Sequence, residues 1–367
     1  MTEHGLVIGK FYPPHRGHHL LIRTAAAVSR RVTVVVMAAT AESISLQERV
    51  DWLCAVHAND TNVHIVGIMD DVPIDYHDAS IWDAHVALMR QALQQIAAPT
   101  VTAVFTSEPY GQELAHRFNA RAVTLDVDRR LAAISATAVR ENLEERWETL
   151  EPPTRAGLAL RVVIVGAESS GTTTLTRDLQ RHLQERGGVY ANTAWVPEYG
   201  RQFTIDKWAV CRAAAQLAGT VIPPVEDIPW TTHDFVDIAK RQNEMEQQAA
   251  ERGSPILLCD TDTFATSIWH ERYMNANSAE VDNLFAPRPR RLYLLTDIAG
   301  VDFEQDGLRD GLSIRGWMHE RFAERLATLP YPFKLMRGSR EDRIAQALEF
   351  IHHVSKTAWS FAPAHPA

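Results

Sequence analysis

The chain has 367 residues, 46% apolar and 23% charged, which excludes a disordered or fibrous protein and exceeds one average domain of roughly 100–200 residues. A net charge of −9 disfavours a surface that coats nucleic acid and favours small-molecule partners. Cys54, Cys211 and Cys259 form neither a zinc spacing nor a disulfide framework, no apolar run nears the ~20 residues of a membrane helix, and no signal peptide precedes the first strand-like run; a cytoplasmic protein is expected.

In the first half, strand-like runs at 6–8, 32–38, 63–68, 101–106 and 122–125 alternate with helical periodicity at 17–29, 45–58, 80–96 and 111–118. Such alternation predicts an open parallel sheet wound with helices. A polar stretch from Glu144 to Gly157 follows, and its Pro152–Pro153 pair argues against continuous helix. The second half repeats the pattern, with strands at 161–165, 255–259, 291–295 and 332–335 and helices at 172–185, 234–252, 263–273, 315–328 and 340–355. Two α/β domains, 1–155 and 156–367, are predicted, with a frayed tail from Ser355 onward.

After the first strand, Gly9-Lys-Phe-Tyr-Pro-Pro leads into His15-Arg-Gly-His18 at a predicted helix start. Three residues apart, His15 and His18 share one face of the first turn, where a bare Gly17 leaves backbone N–H groups and the positive end of the helix open to an anion. Two imidazole donors beside a helix start suit nucleotidyl transfer, in which charge grows on the α-phosphate as pyrophosphate leaves. A lone His-x-x-His pair also has the plainer readings of a metal ligand set or a helix cap.

The frame Gly-x-Phe-x-Pro-x-His-x-Gly-His, present from Gly9 to His18, resembles the HxGH nucleotidyltransferase superfamily. Its second signature appears as Ile134-Ser-Ala-Thr-Ala-Val-Arg140. The resemblance implies a Rossmann-like fold in which His15, His18 and Arg140 are catalytic and Gly9, Lys10, Phe11, Ser135 and Thr137 join them in binding ATP phosphates. Thr106-Ser107-Glu108 resembles the loop after the corresponding strand of nicotinamide-mononucleotide adenylyltransferases, which points to Ser107 and Glu108 as mononucleotide ligands. Trp82 has two readings, a ring stacked on the nicotinamide or a core residue at helical spacing with Ile81 and Val86. Arg49, in Gln47-Glu-Arg, also has two readings, a contact to the mononucleotide or, more plainly, an exposed helix arginine.

The second strand-glycine-helix opening, Val162 to Gly166 followed by Glu168-Ser169-Ser170-Gly171-Thr172-Thr173-Thr174, has the context of a phosphate-binding loop. Thr172 stands where lysine is usual, removing a charged contact of roughly 1.5–3 kcal/mol. Thr173 keeps the hydroxyl that such loops place on Mg²⁺. The run Pro255 to Cys259 ends in Asp260 and Asp262, candidates for metal and base functions, and Arg309 and Arg315, in an acidic segment from Asp302 that could close as a lid, are candidates for replacing the lysine.

Glu-Ser-Ser-Gly, then Glu198-Tyr-Gly-Arg201, then Asp260-Thr-Asp262, then Asp306-Gly-Leu-Arg309 resemble in order the ribosylnicotinamide kinase domain of NadR-type bifunctional proteins, which also carry an HxGH domain first. The resemblance implies a P-loop kinase α/β domain with Glu198, Arg201 and Asp262 near the riboside, Thr173 and Asp260 on Mg²⁺, and Asp260 or Asp262 as the base. It implies nicotinamide riboside, nicotinamide mononucleotide, ATP and NAD as small-molecule partners. Only eight residues precede Gly9, so no DNA-binding helix-turn-helix domain is expected; a homo-oligomer is compatible with the sequence. Two alternatives stay open: an adenylyltransferase with a weak or sensing kinase domain, and a non-catalytic NAD or ATP sensor.

Overall fold

The computed structural model describes residues 1–128, 130–285, 288–304 and 311–363. They form two units, Met1–Gly157 together with the stretch from Trp359, and Leu158–Ala358. In the first unit β1 (Thr2–Gly9), α1 (Arg16–Val28), β2 (Ser29–Ala38), α2 (Leu46–Val56), β3 (Val63–Met69), α3 (Ala79–Gln95), β4 (Ala103–Thr106), α4 (Gly111–Arg117) and β5 (Arg121–Thr124) alternate as predicted. α5 (Ala136–Glu141), α6 (Leu143–Arg146) and α7 (Pro152–Leu158) follow. The five strands are parallel in the order β3-β2-β1-β4-β5. Leu21, Ile22 and Ala25 of α1 and Leu53 of α2 bury one face; Trp82, Val86, Met89 and Leu93 of α3 and Leu114 of α4 bury the other. Covered on both sides, β2 reads as a continuous apolar run rather than an alternating one. Strand order reverses between β1 and β4, so the crevice beyond their carboxyl ends is where an open α/β sheet binds ligands.

The second unit contains β6 (Leu160–Val165), α8 (Thr172–Glu185), β7 (Trp195–Val196), α9 (Tyr199–Ala218), α10 (Thr232–Arg252), β8 (Ile256–Asp260), α11 (Thr263–Met274), α12 (Ala279–Asp282), β9 (Arg291–Thr296), α13 (Leu312–Leu326), β10 (Phe333–Met336) and α14 (Arg340–Ala358). Its sheet is also parallel, β10-β9-β6-β8-β7, with β6 at the centre between β9 and β8.

Three local expectations change. Pro152 and Pro153 open α7 rather than interrupt a helix, because the first helical positions have no intrahelical N–H bond to lose. α9 has no clear periodic signal because only Ala215 along it is buried. The tail is not frayed at Ser355: α14 runs to Ala358, and Ala362 then bonds through both backbone groups to Ser43 and Tyr12. Among the described residues no helix is long and apolar enough to cross a membrane.

Candidate active sites

In the first unit a cavity of about 460 Å³ opens beyond β1 and β4, within the size range of ligand pockets. Both halves of the sequence signature line it: Gly9, Lys10, Phe11, His15 and His18 from the first loop, and Ser135, Thr137 and Arg140 from α5 and its cap. His15 caps α1 in an unusual way. Its Nδ1 accepts from Gly17 N at 3.1 Å, and His18 Nδ1 accepts from His15 N at 3.3 Å. A backbone N–H can only donate, so in each neutral ring the proton sits on Nε2. The rings stack with centroids 3.8 Å apart, and Phe11 meets His18 edge-on at 4.9 Å. A side chain at Gly17 would press on the His15 ring, its Cβ lying 3.1 Å from Cε1. The Gly17 amide expected to meet an anion is thus engaged by His15, and the imidazoles become the donors.

Arg140 donates to Tyr12 O at 2.6 Å and to Thr137 Oγ1 at 3.1 Å. Ser135 caps α5 by accepting from Ala138 N, while Asp126 accepts from the backbone of Arg130, Leu131 and Ala132 and shapes the approach to it. Those N–H bonds, Leu131's foremost, hold the Asp126 carboxyl below its usual range. Lys10 lines the cavity and bonds Glu42 at 2.9 Å. Arg49 corrects its exposed reading: wholly buried, it pairs with Glu42 at 2.7 Å and donates to Lys10 O and Ile44 O, bracing the loop from beneath. Against a burial that alone would raise it, Lys10 and Arg49 keep the Glu42 carboxyl low.

Trp82 is a core residue that also reaches the cavity. Its ring packs in the α3 core, its Nε1 donates to Tyr76 O, and one edge lines the cavity beside Tyr76 and Tyr110. Ser107 and Glu108 line the same end. Asp70 and His85, joined at 2.7 Å, also line it and raise the imidazole's affinity for a proton; with Tyr76 and Tyr110 they carry no motif, so spacing alone does not reveal them.

In the second unit the loop from β6 to α8 wraps a smaller cavity of about 140 Å³. Gly171 adopts φ +90°, a conformation that glycine takes without strain. A Cβ at Gly166 would lie 2.1 Å from Thr296 Oγ1, so only glycine lets the loop sit this close to β9. Glu168, Ser169, Thr172 and Thr173 line the cavity; Ser170, buried, braces Ala167 O and Thr296, and Thr174 is exposed outside the lining. Thr173 Oγ1 donates to Asp260 Oδ2 at 2.5 Å, joining the loop to the end of β8. Glu198, at the cap of α9, faces the same cavity with Gly200 and Arg201. Burial, Asp260 and Glu168 push the Glu198 carboxyl up to about 7, and burial also raises Asp260.

Asp262 departs from its expected role as base and riboside ligand. It is wholly buried outside the cavity lining, caps α11 through Phe264 N and Ala265 N, and bonds Tyr293 Oη at 2.7 Å and Arg291 at 3.1 Å. The strand end turns at Thr261, φ +75°, which puts Asp260 toward the loop and Asp262 into the protein. Arg315, expected in a closing lid, is engaged with loop backbone. It sits on α13, donating to Ser169 O and Val301 O, while Arg343 of α14 donates to Ser170 O, Gly338 O and Asp297 O. Both cations stand behind the loop on its carbonyls; Arg309 lies outside the described residues. The cavity wall includes an aromatic group missed by motif reading, Trp230, Phe235, Trp269 and Tyr273, with Trp230 and Tyr273 rings 5.1 Å apart.

The oxygen-only donor set of Thr173 and Asp260, close to Glu198 and Glu168, fits a hard divalent cation. Among the described residues no three His, Cys, Asp or Glu side chains converge as a metal cage.

Residues 161–343 match a family model described as AAA domain. The trifunctional NAD biosynthesis/regulator protein NadR of Escherichia coli is 23% identical over 320 residues, 83% of this chain and 71% of that protein. Its Salmonella typhimurium counterpart is also 23% identical, over 321 residues with the same coverage. Crystal structures of NadR protein in complex with NR, and with NAD and AMP-PNP, superpose with TM-scores of 0.61 and 0.62 at 17% and 19% identity, covering 97% of this chain and 96% of each of those chains. The chain is accordingly similar in sequence to these NadR proteins and shares the fold of the NadR structures, here two parallel α/β units with the strand orders given above.

Proposed function

We propose that the chain is a bifunctional NAD salvage enzyme. Its second domain transfers the γ-phosphoryl of ATP to the 5′-hydroxyl of nicotinamide riboside; its first joins the resulting mononucleotide to the AMP of a second ATP, releasing pyrophosphate. The observation that carries this is the convergence of both HxGH-type signatures and Trp82 on one cavity, while a phosphate loop, Asp260 and Glu198 line another.

In the first domain the His15 and His18 Nε2–H groups and Arg140 meet the charge that develops on the phosphates, and Ser135 and Thr137 hold the leaving pyrophosphate. Side chains need only position the mononucleotide's own phosphate for attack, with the pyridinium against the aromatic end at Trp82, worth about 0.5–2 kcal/mol if cation–π contact forms. In the second domain Glu198, poised near neutrality, accepts the proton from the 5′-hydroxyl. Trp230 and Tyr273 provide π faces for the same cationic ring. Thr173 and Asp260 would hold Mg²⁺, which when bound neutralises phosphate charge.

The purified chain is supplied with mononucleotide and ATP, or with riboside and ATP. NAD should form from the first pair and mononucleotide from the second; failure of either removes that activity. Thr172 supports a second reading, a slow or merely sensing kinase domain. Because Arg315 and Arg343 act on loop carbonyls, Thr172→Lys should raise kinase kcat/KM about tenfold. An unchanged rate would mean that the charge behind the loop already suffices.

A further inference from the structure

The chain's last described residues belong to the first unit, where they reach the loop that carries the histidines. Tyr12 Oη donates to Ala362 O at 3.0 Å and accepts from Ser43 N at 2.9 Å; Ala362 N donates to Ser43 Oγ at 2.7 Å, closing a ring of three hydrogen bonds. Phe361 packs edge-on to the Tyr12 ring at 6.3 Å. Tyr12 is wholly buried, and its ring takes two guanidinium groups, Arg49 at 4.4 Å and Arg140 at 4.8 Å. Its carbonyl accepts from Arg140 as well. Ser43 adjoins Glu42, the carboxylate that pairs with Lys10 and Arg49.

We propose that the segment 360–362 is a positioning element of the adenylyl-transfer site, which through Tyr12 sets the guanidinium of Arg140 for the phosphates of ATP. This rests on the adenylyltransferase reading above. Both termini of the Tyr12 side chain's restraint are needed: Arg140 bonds its carbonyl and covers its ring, so a tyrosine that rocks about its backbone moves the arginine with it. The segment's bonds go to Tyr12 and Ser43, and none of its residues lines the cavity whose aromatic end would take the mononucleotide's ring, so its effect falls on ATP.

The test compares four full-length or near-full-length proteins: wild type, a chain ended after Trp359, Tyr12→Phe, and the two changes together. NAD formation is followed while ATP and mononucleotide are varied separately, with riboside phosphorylation and the melting curve recorded alongside. The shortened chain should show an ATP KM about tenfold higher, an unchanged mononucleotide KM and an unchanged kinase rate. Tyr12→Phe, which keeps the ring and loses the hydroxyl, should raise the same KM about threefold, and the combined variant should be no worse than the shortened chain. If both single variants keep the wild-type ATP KM, or if both KM values rise together, the inference is overturned while the enzyme assignment stands. A wild-type chain that makes no NAD overturns the assignment and the inference with it.

Discussion

The two phosphate loops of this chain start alike and solve the same electrostatic problem differently. Each leaves the central strand of a five-stranded parallel sheet and enters a helix. The first puts its positive and hydrogen-donating groups into the cavity as side chains, His15, His18, Lys10 and Arg140. The second lines its cavity with hydroxyls, carboxylates and a single described guanidinium, Arg201, while Arg315 and Arg343, outside the lining, bond the carbonyls of Ser169 and Ser170. A guanidinium bonded to a carbonyl draws charge from that peptide unit, so the next amide N–H presents a stronger donor. Thr172→Lys measures how much of the missing lysine's charge this route through the backbone replaces.

The largest expected effect tests the side-chain solution. His18→Ala removes a donor that the proposed mechanism aims at the transition state and should lower NAD formation about 10²–10³-fold, measured as kcat, with riboside phosphorylation intact. Loss of both activities would mean that the loops are not independent and the comparison fails.

Next comes the carboxylate of the second loop's cavity. Glu198→Gln should lower kinase kcat about a hundredfold. In the native chain kcat should climb as pH rises through about 7, where Glu198 gives up its proton, and level off above; protonation at lower pH removes the base. A flat profile in the wild type would take the base role away from Glu198.

Asp262 offers the smallest effect on chemistry and the one that sharpens the contrast between its site and that of Asp260. Asp262→Asn removes one of the two buried carboxylates, Asp262 and Glu246, that pair with Arg291 and should cost about 3 kcal/mol of stability, read as a lowered unfolding midpoint of the second domain. Kinase kcat at a temperature where the variant is folded should stay within about threefold of wild type. A folded but inactive variant would restore Asp262 as a catalytic group.

Nine of the ten strands were legible in the residues, because strands buried on two faces announce themselves as continuous apolar runs, as at Val162 to Val165, whereas the two-residue β7 is too short to form one. The two loops were legible as short motifs, the first through its resemblance to the HxGH signature: His15, Gly17 and His18 interact within one helical turn, so a motif of four residues contains its own geometry. α9 escaped notice because exposed helices carry no stripe. Arg49 was misread for a related reason, since a buried arginine and an exposed one look identical until the carboxylate that pairs with it, Glu42, is in place.

Tertiary structure alone decided the rest. It turned Asp262 away from the cavity, although that residue stands two positions from Asp260; it gathered Trp230, Phe235, Trp269 and Tyr273 from two helices and a loop; and it brought Ala362 to Tyr12 across 350 positions of sequence. Residue order constrains what lies within a turn of helix or along a strand, where backbone geometry sets the distances. Which distant side chains share a cavity, which carboxylate loses its water and which arginine finds a partner follow from packing, and packing is a property of the folded chain.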